Sequence, residues 1–146
     1  MQEPDILFYG HDLPHFEFSN FAPYPIEVLG KTWPTSEHFF QAMKFLDDVN
    51  RELIRTAPTP ARAAELGRSR DRPLRSDWEI VKNDIMTWAL MSKFEQYPDL
   101  KAKLFSTGNA KIIEHTDRDK YWGDGGDGSG KNMLGILLME VRRLLK

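Results

Sequence analysis

Residues 36–46, Ser-Glu-His-Phe-Phe-Gln-Ala-Met-Lys-Phe-Leu, constrain the fold of this chain more than any other stretch. Wound as a helix at about 100° per residue, they place Phe39, Ala42, Met43 and Leu46 on one side, flanked by Phe40 and Phe45. A helix that is apolar around most of its circumference belongs in an interior. One narrow polar stripe is left, Glu37, Gln41 and Lys44, at spacing i, i+4, i+7. It reads either as a solvated helix edge or as a site, and the helix alone does not choose between them. Glu37 and Lys44 would stand about 10 Å apart along the axis at ~1.5 Å per residue. Side chains of that length could converge on a sugar-sized object.

The rest of the chain narrows the setting. Its 146 residues are the size of one ordinary domain, and 40% hydrophobic content is enough for one core. A formal charge of −2 gives no global field for nucleic acid, so binding to DNA or RNA would need a local patch. With no cysteine there is no disulfide framework, thiolate nucleophile or zinc–sulfur site. The four histidines lack metal-helix spacing, so no metal is expected. No apolar run approaches the roughly 20 residues of a membrane span, and the acidic start, Met-Gln-Glu-Pro-Asp, is no signal peptide. The expectation is a cytoplasmic protein of one domain, residues 1–146, without membrane association.

Local patterning predicts a helix-dominated α+β fold with a small β-sheet. Ile6–Tyr9 reads as a strand and Ile26–Trp33 as a tight hairpin turning at Gly30-Lys31. Thr35 or Ser36 caps the first helix. Asp48–Arg55 is a short helix, and Thr59-Pro60 opens another that closes at Gly67. Ser76 with Glu79 resembles a capping box for a helix running to about Gln96, with Trp78, Val81, Ile85 and Trp88 inward. Pro98–Phe105 is a shorter helix, 111–114 a possible strand, and Met133–Lys146 a final apolar helix.

Two other clusters invite chemistry. Gly125 followed by Gly130-Lys131-Asn132 is one residue short of the phosphate-loop pattern, because Asn132 stands where a hydroxyl should bind magnesium. No buried strand precedes it, and Asp124 and Asp127 would repel phosphates, so a nucleotide-triphosphate site is disfavoured. The alternatives are a plain turn into a helix or a loop closing over a ligand through backbone N–H groups and Asp124. Arg68, Arg70, Arg72 and Arg75 share one loop, either solvated or suited to phosphate.

Ser19-Asn20-Phe21, Ser36-Glu37-His38, Gln41-Ala42-Met43-Lys44-Phe45, Lys93-Phe94, Thr107-Gly108, Tyr121-Trp122-Gly123-Asp124 and Asn132-Met133-Leu134-Gly135 occur in one order along the chain. Each piece is short, but the ordered set resembles the NADAR/YbiA-like family from about Phe8 to the C-terminus, as a minimal, stand-alone member. The resemblance implies a mainly helical α+β fold and N-glycosidase chemistry without a cofactor. It implies cleavage of a ribose–nitrogen bond in phosphoribosylated riboflavin-pathway intermediates or in ADP-ribosylated guanine. The partner is then a nucleotide-like small molecule or ADP-ribosylated nucleic acid, the latter in a toxin–antitoxin context.

On that footing the polar stripe becomes the expected catalytic centre. Lys44, if neutral, attacks the anomeric carbon and forms an imine, Glu37 shuttles protons, and Asp124 stabilises positive charge on the ribose or holds its hydroxyls. In a competing mechanism Glu37 activates water and Lys44 holds a phosphate. Substrate contacts are expected from Asn20, Phe21, Ser36, Gln41, Trp88, Tyr121, Trp122, Gly123, Lys131 and Asn132. Among these, Phe21, Trp88 and Trp122 are the stacking candidates, and Lys131 joins Arg68 and Arg70 as a phosphate candidate. The alternative function is a non-catalytic module binding ADP-ribose-like ligands, which would need the aromatics and arginines but not Glu37 with Lys44.

Overall fold

A computed structural model describes residues 3–146. The fold is α+β and mainly helical. In chain order it contains β1 (Ile6–Phe8), β2 (Ile26–Val28), β3 (Lys31–Trp33), α1 (Ser36–Ala42), α2 (Asp48–Arg55), α3 (Pro60–Arg68), α4 (Trp78–Gln96), α5 (Pro98–Ser106), β4 (Ile112–Glu114) and α6 (Met133–Leu144). The strands form two separate two-stranded sheets, not one: β1 with β4, and β2 with β3. The chain groups into two compact units. Pro23–Lys93 is one, and the flanking segments, up to Ala22 and from Phe94 to Lys146, form the other.

In the 23–93 unit, β2 and β3 form an antiparallel hairpin with Ile26 opposite Trp33 and Val28 opposite Lys31. Leu29 (φ 56°) and Gly30 (φ 74°) make the two-residue turn. Two successive positive φ values are what a tight hairpin between right-twisted strands requires. The turn therefore sits one residue earlier than the Gly30-Lys31 expected from sequence. Trp33 Nε1 donates to Val28 O at 2.9 Å, tying the indole back across the hairpin. Helix α1 follows directly. Its N-cap is Thr35, whose hydroxyl accepts from His38 N at 3.2 Å. All seven α1 residues are buried, and α1 packs against both α2 and α3. Asp47 caps α2, while Thr59 caps α3 with Pro60 in the first turn.

Helix α1 is shorter than its apolar pattern predicts. It ends at Ala42 with Met43 as its C-cap. Lys44 N then donates to Gln41 O and Phe45 N to Ala42 O, tightening the chain into i→i+3 turns. The carbonyls this leaves without helical partners are taken by arginines. Arg75 Nη1 donates to Met43 O (3.2 Å), Arg75 N to Lys44 O (2.9 Å) and Arg51 Nε to Phe45 O (2.7 Å). Cations at a helix C-terminus also complement its dipole. Helix α4 begins at Trp78, two residues after the capping serine expected from sequence. Its buried positions include Trp78, Ile85, Met86, Ala89 and Leu90, whereas Trp88 is 41% exposed and does not belong to the inner face.

In the flanking unit, β1 and β4 pair in parallel with Ile6 opposite Ile112. Phe8, Phe18 and Phe94 pack ring to ring at centroid distances of 6.1 and 5.9 Å. Asn132, in left-handed conformation (φ 52°), precedes α6 and clamps β4. Its Oδ1 accepts from Glu114 N and its Nδ2 donates to Ile112 O, both at 2.9 Å. Gly135 is needed for this approach, because a Cβ there would collide with Ile112 O and the Asn132 amide. Arg142 on α6 is buried, donating to Thr107 Oγ1 (2.8 Å) and Ala110 O (2.9 Å). No helix among the described residues is long and apolar enough to cross a membrane.

Candidate active site

The polar stripe is not a solvated edge. Glu37 is 9% exposed, Gln41 6% and Lys44 9%. A carboxylate and an ammonium are almost never buried without a structural or chemical reason. One turn of helix brings Gln41 Nε2 onto Glu37 Oε2 at 2.7 Å. This contact fixes which end of the amide faces the carboxylate, since an amide oxygen there would face another oxygen. The amide oxygen, Oε1, is buried and accepts no hydrogen bond.

Lys44 stands beyond the helix end, held through its backbone by Arg75. Its Nζ lies 5.9 Å from the centre of the Phe40 ring and 5.8 Å from that of Trp78. Among the described residues no hydrogen bond or ion pair reaches this nitrogen. Burial pushes the Lys44 amine down from 10.5 to about 8; the Glu37 charge opposes this, while Arg70 and Arg68 push in the same direction as burial. An amine in that range is partly neutral near physiological pH and can act as a nucleophile. The four expected arginines therefore divide. Arg75 is architectural, bonded also to Asp77 at 2.7 Å, whereas Arg68 and Arg70 are exposed and lend positive potential to Lys44.

Neighbouring motif residues support the helix. His38 Nε2 donates to Ala57 O at 3.0 Å, so its Nδ1 accepts from the Thr35 hydroxyl at 2.8 Å. Burial lowers the His38 pKa against the pull of that carbonyl, leaving a neutral ring that anchors α1. Ser36 is buried at the first position of α1. Trp88 presents its ring edge-on to Phe39 at 5.1 Å while remaining exposed. Lys93 is fully buried, with Nζ 5.4 Å from the Tyr24 ring.

The flanking unit holds the other expected site residues. Asp124 is buried, and its carboxylate accepts from Thr116 N (3.1 Å), Gly126 N (2.9 Å) and His115 Nδ1 (2.8 Å). Burial raises its pKa, but these hydrogen bonds outweigh burial and hold it below the usual aspartate value. His115 is exposed, and its Nε2 has no partner among the described residues. An Asp–His pair of this form orients an imidazole, and the sequence reading did not single out His115. The glycine loop is a closed structure. Gly125 N donates to Asp119 O, Gly130 N to Asp124 O, Lys131 N to Lys120 O and Asn132 N to Gly123 O. Those N–H groups are thereby already engaged and form no phosphate cradle. Gly123 is buried, and a Cβ there would meet the Thr116 side chain at 2.6 Å. Tyr121 and Trp122 pack edge to face at 4.8 Å, and Lys131 Nζ stands 5.5 Å from the Tyr121 ring. Asn20 is buried and Phe21 is 41% exposed. Among the described residues, no three His, Asp or Glu side chains gather as a metal site requires.

The sequence reading also missed Gly67, Arg51 and the Phe40–Trp78 pair around Lys44. Gly67 is the penultimate residue of α3, and a glycine there reads in the sequence as a helix end, which hides its packing role. Arg51 and the Trp78 contact depend on tertiary packing and left no local signal.

The chain is similar to known proteins in both sequence and fold. The NADAR domain family matches residues 7–146. N-glycosidase YbiA of Escherichia coli (strain K12) is 56% identical over 99% of this chain and 91% of its own length. The NMR structure of the E. coli protein YbiA superposes with a TM-score of 0.91, covering 99% of this chain and 86% of that one. Riboflavin biosynthesis protein VVA0006 of Vibrio vulnificus is 40% identical over 100% of this chain, which spans 40% of that longer protein. With the family match running through every ordered motif and a shared fold at 56% identity, this chain belongs to the NADAR domain family.

Proposed function

We propose that this chain hydrolyses a ribose–nitrogen bond with Lys44 as nucleophile and Glu37 as proton shuttle. Family membership and 56% identity to an N-glycosidase make it a hydrolase of N-glycosyl bonds. The observation that carries the residue assignment is the burial of Lys44 beside Glu37, with the amine lowered to about 8. Moving one proton from the Lys44 ammonium to the Glu37 carboxylate produces a neutral amine and an acid together. The Nζ lone pair then bonds to the anomeric carbon, the carbon–nitrogen bond to the base breaks, and Glu37 protonates the departing base. Glu37 takes the proton left on Nζ and passes it to the ring oxygen as the ribose opens, leaving an imine. Water adds to the imine carbon, Glu37 accepts its proton, and the sugar aldehyde leaves as the amine is restored.

The preferred substrate is a phosphoribosylated pyrimidine of riboflavin synthesis, supported by the riboflavin biosynthesis name of the 40% identical Vibrio vulnificus relative. ADP-ribosylated guanine, free or in nucleic acid, is the competing substrate and carries the toxin–antitoxin context with it. The proposed location is the cytoplasm. The family match spans both compact units, which supports reading residues 1–146 as one domain. Asp124 keeps its proposed role toward the ribose, with His115 as its oriented partner. Phe21, Trp88, Tyr121 and Trp122 remain the proposed base contacts, and Arg68, Arg70 and Lys131 the phosphate contacts. The test is a panel of both substrate classes with borohydride added during turnover. A sugar adduct on Lys44 is expected by mass spectrometry. Base release without an adduct would overturn the covalent step in favour of water activation by Glu37, and saturable binding without base release would favour a binding module.

A further inference from the structure

Gln41 stands between the two proposed catalytic residues, and the structure gives it a specific task. Its Nε2 donates to Glu37 Oε2 at 2.7 Å, while its Oε1 accepts nothing and is packed against Gly67 of α3. A Cβ at Gly67 would collide with Oε1 and lie 2.8 Å from Gln41 Cδ and 3.0 Å from its Cβ. The Cδ contact matters most. Turning the amide about its last bond cannot relieve a clash that includes Cδ, so only glycine admits this rotamer. Gly67 has a negative, helical φ, so its conspicuous requirement is space and not backbone conformation. Glycine in the last turn of α3 orders less readily than alanine would, and a buried amide oxygen without a partner is itself destabilising. Two destabilising features in contact with one another point to a gain that is not stability.

We infer that Gln41 is a positioning residue which holds the Glu37 carboxylate in its reactive orientation, and that Gly67 is the seat that fixes Gln41. The amide cannot turn away, because one end is bonded to the carboxylate and the other is confined by α3. The Gln41 amide sets where Glu37 Oε2 sits, and a displaced acid loses proton-transfer efficiency with little effect on binding. The inference rests on the proposed role of Glu37, and it assigns Gln41 to the enzyme's own carboxylate instead of to the substrate.

Two measurements test it. The first needs no substrate. In a ¹⁵N–¹H spectrum, one proton of the Gln41 side-chain amide is expected downfield because it faces a carboxylate. Glu37→Gln and Gly67→Ala should each abolish that displacement, and an undisturbed amide in folded Gly67→Ala would overturn the seat. The second uses base release from the phosphoribosylated pyrimidine. Gln41→Ala and Gly67→Ala should each lower kcat about 10- to 100-fold with KM changed less than about threefold. Adding Gly67→Ala to Gln41→Ala should cost little further, since alanine removes Oε1 and Cδ and leaves the methyl only the marginal contact at Cβ, and Gln41→Ala should cost nothing in a Glu37→Gln background. Additive losses, or a rise in KM without a fall in kcat, would overturn the proposal. If the wild-type chain releases no base from any substrate, the glycosidase reading fails, while the amide spectrum still decides whether Gly67 seats Gln41 on Glu37.

Discussion

The end of α1 and the glycine loop both bury polar groups that carry the family motifs, yet they treat them in opposite ways. Asp124 accepts three hydrogen bonds, and Asn132 uses both ends of its amide on β4. At the end of α1, the Gln41 oxygen has no partner and the Lys44 ammonium faces aromatic rings. A satisfied buried polar group needs no reactive role to account for it, because its bonds offset its desolvation. An unsatisfied one stores free energy that folding alone does not explain, and such groups concentrate where chemistry is done. The difference assigns reactivity to Lys44 with Glu37 and scaffold to Asn132.

The largest effects should fall on the α1 side. Lys44→Ala and Glu37→Gln should each reduce base release by at least about 10²- to 10³-fold, measured by chromatography of the freed base, with far-ultraviolet circular dichroism unchanged. Comparable rates in both variants would break the contrast. On the loop side the loss should appear in folding. Asn132→Ala orphans Glu114 N and Ile112 O, and should cost about 2–4 kcal/mol in urea unfolding.

Removing the lysine charge should do the reverse. The folded-state amine is lowered to about 8 from 10.5, so between those values the unfolded chain binds more protons and stability rises with pH. Below about 8 the folded state carries the full penalty. Lys44→Met should therefore stabilise the protein at pH 7 by roughly 1–3 kcal/mol, an advantage that disappears above pH 10.5. A destabilised variant would mean that the ammonium is better solvated than its surroundings suggest. The smallest effect is a shift of titration. Base release should fall as pH rises through about 8, because the proton lost from Lys44 is the one Glu37 must give to the departing base, and Glu37→Gln should move the Lys44 midpoint downward by removing the charge that opposes burial. NMR of the lysine Nζ would read it directly.

What the sequence disclosed follows how local each signal is. Thr35, Asp47 and Thr59 cap the helices that follow them because capping needs only neighbouring residues. The end of α1 was not legible, because the arginines that accept its early termination come from α2 and from position 75. Pairing of Ile6 with Ile112 was equally hidden, since nothing in either short strand names the other. At the site, Glu37 and Lys44 stood out by spacing. Their burial, and so the choice between surface edge and site, depended on α3 and Trp78 lying against them.

The parallel pairing of β1 with β4 orders events during synthesis. The ribosome releases Ile6–Phe8 early, but Ile112–Glu114 emerges only after all of Pro23–Lys93 has been made. For that interval β1 has no strand to join, while the segment bearing Glu37 and Lys44 already has α2, α3, Arg75 and Trp78 available, all within Pro23–Lys93. A chain translated from the N-terminus can thus assemble its reactive helix first and close its terminal sheet last. Slow elongation beyond residue 93 would prolong exposure of the waiting edge strand, not of the nucleophile.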